Sequence, residues 1–181
     1  MAAFLYARQT WSTLARGLAQ VEAGNGSLVL LGFDALVERQ PDGSYSNSQE
    51  ANVAVNCLDN PAPRDVAAYE RAAADAATAA PAFGPTVAWF GVVCGLWPVP
   101  PTGKAEPLRA PGSPPILVVG TTNDPATPFV WSEAMARQLP QGRLLRHEGE
   151  GHTAYGDNPC TSRIGDAYLL TLDLPKGDLR C

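Results

Sequence analysis

Residues 116–130 read "ILVVGTTNDPATPFV", and their order decides the fold. The short apolar, β-branched run at 116–120 has the pattern of a strand buried on both faces. It leads to Asp124, set between an asparagine and a proline. An aspartate in a proline-flanked turn at the end of a buried strand does little for packing. It either caps the turn or is aimed at a histidine. The residues after this turn set the class. "WSEAMARQL" (131–139) predicts an amphipathic helix, "RLLRH" (143–147) a second strand and "CTSRIGDAYLLT" (160–171) a closing helix. Strand, helix, strand, helix with short loops is a parallel α/β unit. Two strands make no stable parallel sheet by themselves. The pattern therefore predicts the end of a larger sheet whose first strands lie elsewhere.

Upstream of this unit the periodicity is helical. "WSTLARGLAQV" (11–21) puts Trp11, Leu14, Ala15, Leu18 and Val21 on one face, with Thr10 as the expected cap and "GNG" (24–26) as the stop. Residues 28–38 predict a second helix, with the turn "QPDGSYSNS" after it. "QEANVAVNCLD" predicts a third. Residues 64–80 are alanine-rich and helical by propensity, and 86–97, "TVAWFGVVCGLW", predict a fifth apolar helix. Seven prolines then stand among the eighteen residues 98–115, which mark a linker. The expected organisation is a helical region over 1–97, a proline-rich linker over 98–115 and an α/β segment over 116–181.

Composition excludes several classes of function. With 181 residues and a formal charge of −5, the chain carries no basic footprint for nucleic acid or an anionic membrane. No apolar run approaches the roughly 18 residues that span a bilayer. "MAAFLYARQTW" has neither the basic start nor the cleavage site of a signal peptide. The four cysteines, Cys57, Cys94, Cys160 and Cys181, form no C-x-x-C pair, and there are only two histidines, so no metal site is expected. Four cysteines allow three pairings. A cysteine at the last position favours a disulfide staple, and so an oxidising compartment. Joining cysteines within one region gives Cys57–Cys94 in the helical part and Cys160–Cys181 in the α/β part.

The histidine that Asp124 needs is His152, in "EGEGHTAYG" just past the second strand, among glycines that let the backbone turn sharply. Asp124 and His152 thus occupy loops at the C-terminal ends of successive parallel strands, the edge where open α/β sheets place their sites. An aspartate that accepts the Nδ1 proton fixes the imidazole tautomer and leaves Nε2 free as a general base. His147 falls inside the strand and is expected to be structural.

The stretch "PPILVVGTTNDPATPFVWSEAMARQLPQGRLLRHEGEGHTAYGDNPC", continued by "YLLTLDLPKGDLRC", resembles the C-terminal domain of the tripeptidyl-aminopeptidase-like α/β-hydrolases, exported actinobacterial exopeptidases related to proline iminopeptidase. "WSTLARGLAQ", "EANVAVNCLD", "PAFG" and "CGLWP" resemble the lid of that family. The resemblance implies an α/β fold: the C-terminal portion of an α/β-hydrolase, with the last two parallel core strands and flanking helices, preceded by a mostly helical lid. It implies Asp124 as triad acid, His152 as base and Thr127 as a supporting residue. It implies no cofactor, a peptide or small ester as substrate, and an extracellular or cell-envelope location for the full-length protein.

One departure from the family pattern matters. The family's serine sits on a G-x-S-x-G elbow ahead of the aspartate and histidine. Ser27, Ser44 and Ser113 each follow a glycine here, but none completes that elbow. The chain therefore reads as the acid–base half of a serine hydrolase, with the missing N-terminal half of the fold as its expected partner. By itself it is expected to be inactive. The leading expectation is an exopeptidase, a class in which a lid carboxylate often receives the substrate amine; Glu50, Asp59 and Glu70 are the acidic candidates in the helical part, each of which also reads as a solvated surface charge. The alternatives are an esterase with the same triad and a non-catalytic, vestigial interaction fragment.

Overall fold

The computed structural model describes residues 2–104, 106–177 and 179–181. After two single 3₁₀ turns, Ala2–Leu5 and Arg8–Thr10, come helices α1 (Trp11–Glu22), α2 (Ser27–Leu36), α3 (Ser48–Asp59), α4 (Val66–Ala79), α5 (Gly84–Ala88) and α6 (Val92–Gly95). Next come β1 (Ile116–Asn123), α7 (Phe129–Gln138), β2 (Gly142–Glu150), α8 (Pro159–Thr171) and β3 (Leu179–Arg180). The described residues of 98–115 carry neither helix nor strand. The chain forms two compact units. One combines the residues up to Leu36 with Pro107–Cys181, and the other is Val37–Glu106. The boundary at Glu106 and Pro107 falls inside the proline-rich segment 98–115, whereas the one at Leu36 and Val37 leaves no mark on local composition, because it is set by contacts that join distant segments.

The first unit is built on a parallel sheet of order β1-β2-β3. Ile116 pairs with Gly142 and Thr121 with His147, so both strands carry their C-terminal ends to the same edge. Val118, Leu139, Leu145 and Leu179 form the apolar core, Leu145 being fully buried. Gly120 lets α7 lie close on β1, since a Cβ there would sit 2.7 Å from Ser132. Both strands run further than their apolar cores. The polar residues 121–123 stay in the sheet because Gly149 N–H donates to the Thr122 hydroxyl (3.1 Å), which donates to the Gly149 carbonyl (3.2 Å), where the register shifts.

Two strands are expected from the sequence, and the sheet has three. Leu179–Arg180 pair with Leu145 and Arg146, a ladder too short to show as a periodic pattern. The Cys160–Cys181 disulfide and a bond from Cys181 N–H to the Arg146 carbonyl (2.8 Å) hold it in place. Thr10 is not the side-chain cap of α1. Its hydroxyl points back to the carbonyls of Phe4 and Ala7, at 2.5 and 2.7 Å.

The second unit is helical. Cys57 of α3 is joined to Cys94 of α6, and Asp65 caps α4 by accepting from Ala67 N–H. Residues 86–97 are not one helix. The chain breaks at Trp89–Gly91 between α5 and α6, where the Tyr69 hydroxyl lies 3.1 Å from the Gly91 carbonyl and 2.7 Å from that of Pro63. The buried Tyr69 ring stacks on Trp89, with centroids 6.1 Å apart. The interruption seats this aromatic pair, an advantage that local propensity does not register. No described helix is long and apolar enough to cross a membrane.

Candidate active site

Asp124 is the first residue after β1, and its loop is organised around its own carboxylate. Oδ1 accepts from the N–H groups of Ala126 (2.8 Å) and Thr127 (2.9 Å), while Oδ2 accepts from the Thr127 hydroxyl (2.7 Å). The "DPAT" sequence produces this directly, because an aspartate that turns back on its own main chain closes the loop. His152 arrives from the next strand. Its Nδ1 lies 3.0 Å from Oδ2 and 3.1 Å from Oδ1. Thr127 Oγ1 is 3.4 Å from the same nitrogen.

The Asp124 side chain is 4% exposed and that of His152 31%. Burial pushes the Asp124 carboxyl up. The hydrogen bonds from the N–H groups of Thr127 and Ala126, the Thr127 hydroxyl and His152 outweigh it, and the group is held below the ordinary carboxylate range. Asp124 is therefore an anion at neutral pH, able to accept a hydrogen bond from Nδ1–H and to stabilise an imidazolium.

The histidine loop is kept in an unusual conformation. His152 lies between Gly151 (φ 100°) and Thr153 (φ 68°), both left-handed. For a β-branched residue such a φ is a true outlier and stores strain. The loop is also tied to the N-terminal turns. His152 N–H donates to the Tyr6 carbonyl (2.7 Å), and the Tyr6 ring lies 5.0 Å from the imidazole, centroid to centroid. Sequence pattern gives no sign of Tyr6, which belongs to no periodic segment and is separated from His152 by most of the chain.

His147 is inside β2, facing Gly149, with its Nδ1 buried and without a hydrogen bond. A hollow of about 480 Å³ lies along the turn Tyr6–Gln9 and the end of β2, and His152 does not line it. Asp124 and Thr127 border a smaller one of about 240 Å³, together with Thr121, Thr153 and Tyr155. Glu50, Asp59 and Glu70 lie exposed on α3 and α4 of the helical unit, Glu50 beside a hollow it shares with Gln49, Val53 and Trp97. Among the described residues no group of acidic, histidine or cysteine side chains could hold a metal ion.

Residues 80–181 match the family described as TAP-like protein, one of the α/β-hydrolase families, and the chain belongs to it. It is 39% identical to carboxylesterase B of Mycobacterium tuberculosis and 35% identical to serine protease Hip1 of the same organism, each over 98% of this chain and 35% of the relative. It is 26% identical to the tripeptidyl aminopeptidase of Streptomyces coelicolor, over 97% of this chain and 33% of the relative. The chain thus spans about a third of the length of these curated relatives.

Proposed function

We propose that His152 and Asp124 are the general base and the acid of a Ser-His-Asp triad in a serine hydrolase, the serine lying outside these 181 residues. The observation that carries this reading is the Asp124–His152 pair itself: a nearly buried, hydrogen-bonded carboxylate 3.0 Å from Nδ1, on adjoining strand-end loops. With the proton held on Nδ1, Nε2 takes the serine proton as the hydroxyl attacks the scissile carbonyl. It then returns that proton to the leaving group. Thr127 supports the acid by occupying the carboxylate edge that His152 also uses.

The substrate we propose is a peptide cleaved near its free N-terminus, in line with the name of the Streptomyces relative. The helical region 1–97 would serve as lid, with Glu50, Asp59 or Glu70 as the candidate carboxylate for the substrate amine. A carboxylesterase at 39% identity favours ester hydrolysis as the second reading, which uses the same triad. The two disulfides suit a protein exported to an oxidising compartment.

The test is complementation. The 181-residue chain is combined with a hydrolase segment that carries the nucleophile elbow, and turnover of aminopeptidase and ester substrates is measured. His152→Ala should abolish turnover, and His147→Ala should change it little. The reverse result would sink the assignment of the base. An assembled fold with no turnover on either substrate would favour a vestigial chain.

A further inference from the structure

We infer that Tyr6 is a positioning residue for His152, setting the plane of the imidazole on which Asp124 fixes one atom; this rests on the triad reading above. A hydrogen bond at Nδ1 holds the ring at a point, and the ring can still pivot about that bond. A catalytic Nε2 needs the plane fixed as well, since an error of about 1 Å at a reacting atom costs on the order of 100-fold in rate. Tyr6 provides the second constraint twice over. Its carbonyl accepts the His152 N–H at 2.7 Å and so anchors the backbone that carries the ring. Its own ring meets the imidazole at 5.0 Å with an interplanar angle of 52°, within the range of tilted aromatic contacts.

The surrounding sequence is shaped to allow this approach. A Cβ on Gly151 would sit 2.9 Å from the Tyr6 carbonyl oxygen, so only glycine lets the two segments come this close. The turn that presents Tyr6 is itself tied down, because Thr10 donates to the carbonyls of Phe4 and Ala7 on either side of it. Arg8 pairs with Glu150 at 3.4 Å, one residue before Gly151. That pair is exposed and worth little by itself, but it lies along the same contact. Residues 4–10 thus form a strap across the end of β2, with Tyr6 as the residue that touches the base.

The test has two readouts. The first, independent of turnover, is the downfield proton resonance of His152 Nδ1–H in the 181-residue chain. The second is kcat and KM in the complemented assembly. Tyr6→Leu, which keeps an apolar side chain but no aromatic ring, should broaden or abolish the resonance. It should lower kcat by about 10- to 100-fold with KM within about twofold. Tyr6→Phe, which keeps the ring, should restore both. Tyr6→Met, likewise apolar and without a ring, should reproduce the loss and carries the same test if the leucine chain does not fold. A leucine chain with an intact resonance and wild-type kcat overturns the inference. If the wild-type assembly shows the resonance but no turnover, the triad reading fails, and the resonance in the Tyr6 variants still decides for or against Tyr6.

Discussion

Replacing Asp124 with asparagine changes one atom and should cost most of the activity. In the native site Oδ1 faces two main-chain donors, Ala126 N–H and Thr127 N–H, and Oδ2 faces two more, the Thr127 hydroxyl and His152 Nδ1. An asparagine has one acceptor oxygen and one NH₂. If the oxygen stays with the main chain, the NH₂ meets the threonine and the histidine. The threonine can rotate and accept. The imidazole can accept only by moving its proton to Nε2, the atom that must take the serine proton. If the amide flips, its NH₂ faces the N–H groups of half-buried Ala126 and exposed Thr127, donor against donor, and both hydrogen bonds are lost. At about 0.5–1.5 kcal/mol for each bond, that loss is about 1–3 kcal/mol and leaves roughly 15% of molecules or fewer in the productive orientation. The carboxylate charge that stabilises the imidazolium is lost in either case. The expected fall in turnover is about 10⁴-fold, as the same replacement gives in trypsin-type triads, with the fold retained. The assay is peptide hydrolysis by the complemented chain, with the protonated nitrogen of His152 read by ¹⁵N NMR. An asparagine chain that kept more than about a tenth of wild-type turnover, or kept its proton on Nδ1, would refute the reasoning.

The 181-residue chain alone should hydrolyse neither peptide nor ester substrates, because it contains no G-x-S-x-G serine; labelling of a defined serine by a fluorophosphonate probe would contradict this. Removing the Cys160–Cys181 bond with paired serines should cost about 3 kcal/mol for its sequence separation of 21; an unchanged urea midpoint would show that β2 holds the tail without it. Stability should depend on Asp124 in acid. Its carboxyl titrates lower in the folded chain than in the unfolded one, so its contribution is full above the ordinary value of about 3.9 and is lost as pH falls through the folded value. The stability gap between wild type and Asp124→Asn in urea should therefore narrow from about pH 6 to about pH 3, and a constant gap would place the low pKa elsewhere.

The parts of the fold legible in the sequence are those where local pattern and tertiary packing agree. β1, α7, β2 and α8 are readable because a run such as "ILVVG" is buried and the helix after it is amphipathic. Asp124 and His152 are readable for a related reason, since strand ends define where loops meet. The polar ends of β1 and β2 are not, because the bonds that keep Thr122 and Gly149 in the sheet leave no trace in hydropathy. The break at Trp89–Gly91 is hidden by an apolar run that suits a helix equally well. Tyr6 is hidden altogether, because its role depends on a contact across nearly the whole chain.

Thr153 at φ 68° has a consequence for laboratory evolution. A β-branched residue in that conformation costs on the order of 1–3 kcal/mol, a large share of the stability of an ordinary domain. A library randomised at this codon and selected only for resistance to heat or protease should converge on glycine and asparagine, the residues that tolerate the left-handed region. The same library selected for turnover has a different optimum, because Thr153 lines the hollow beside Asp124 as well as the larger one behind the histidine loop. Position 153 is where the two selections should part, and the residue that each returns measures how much of the strain serves the chemistry.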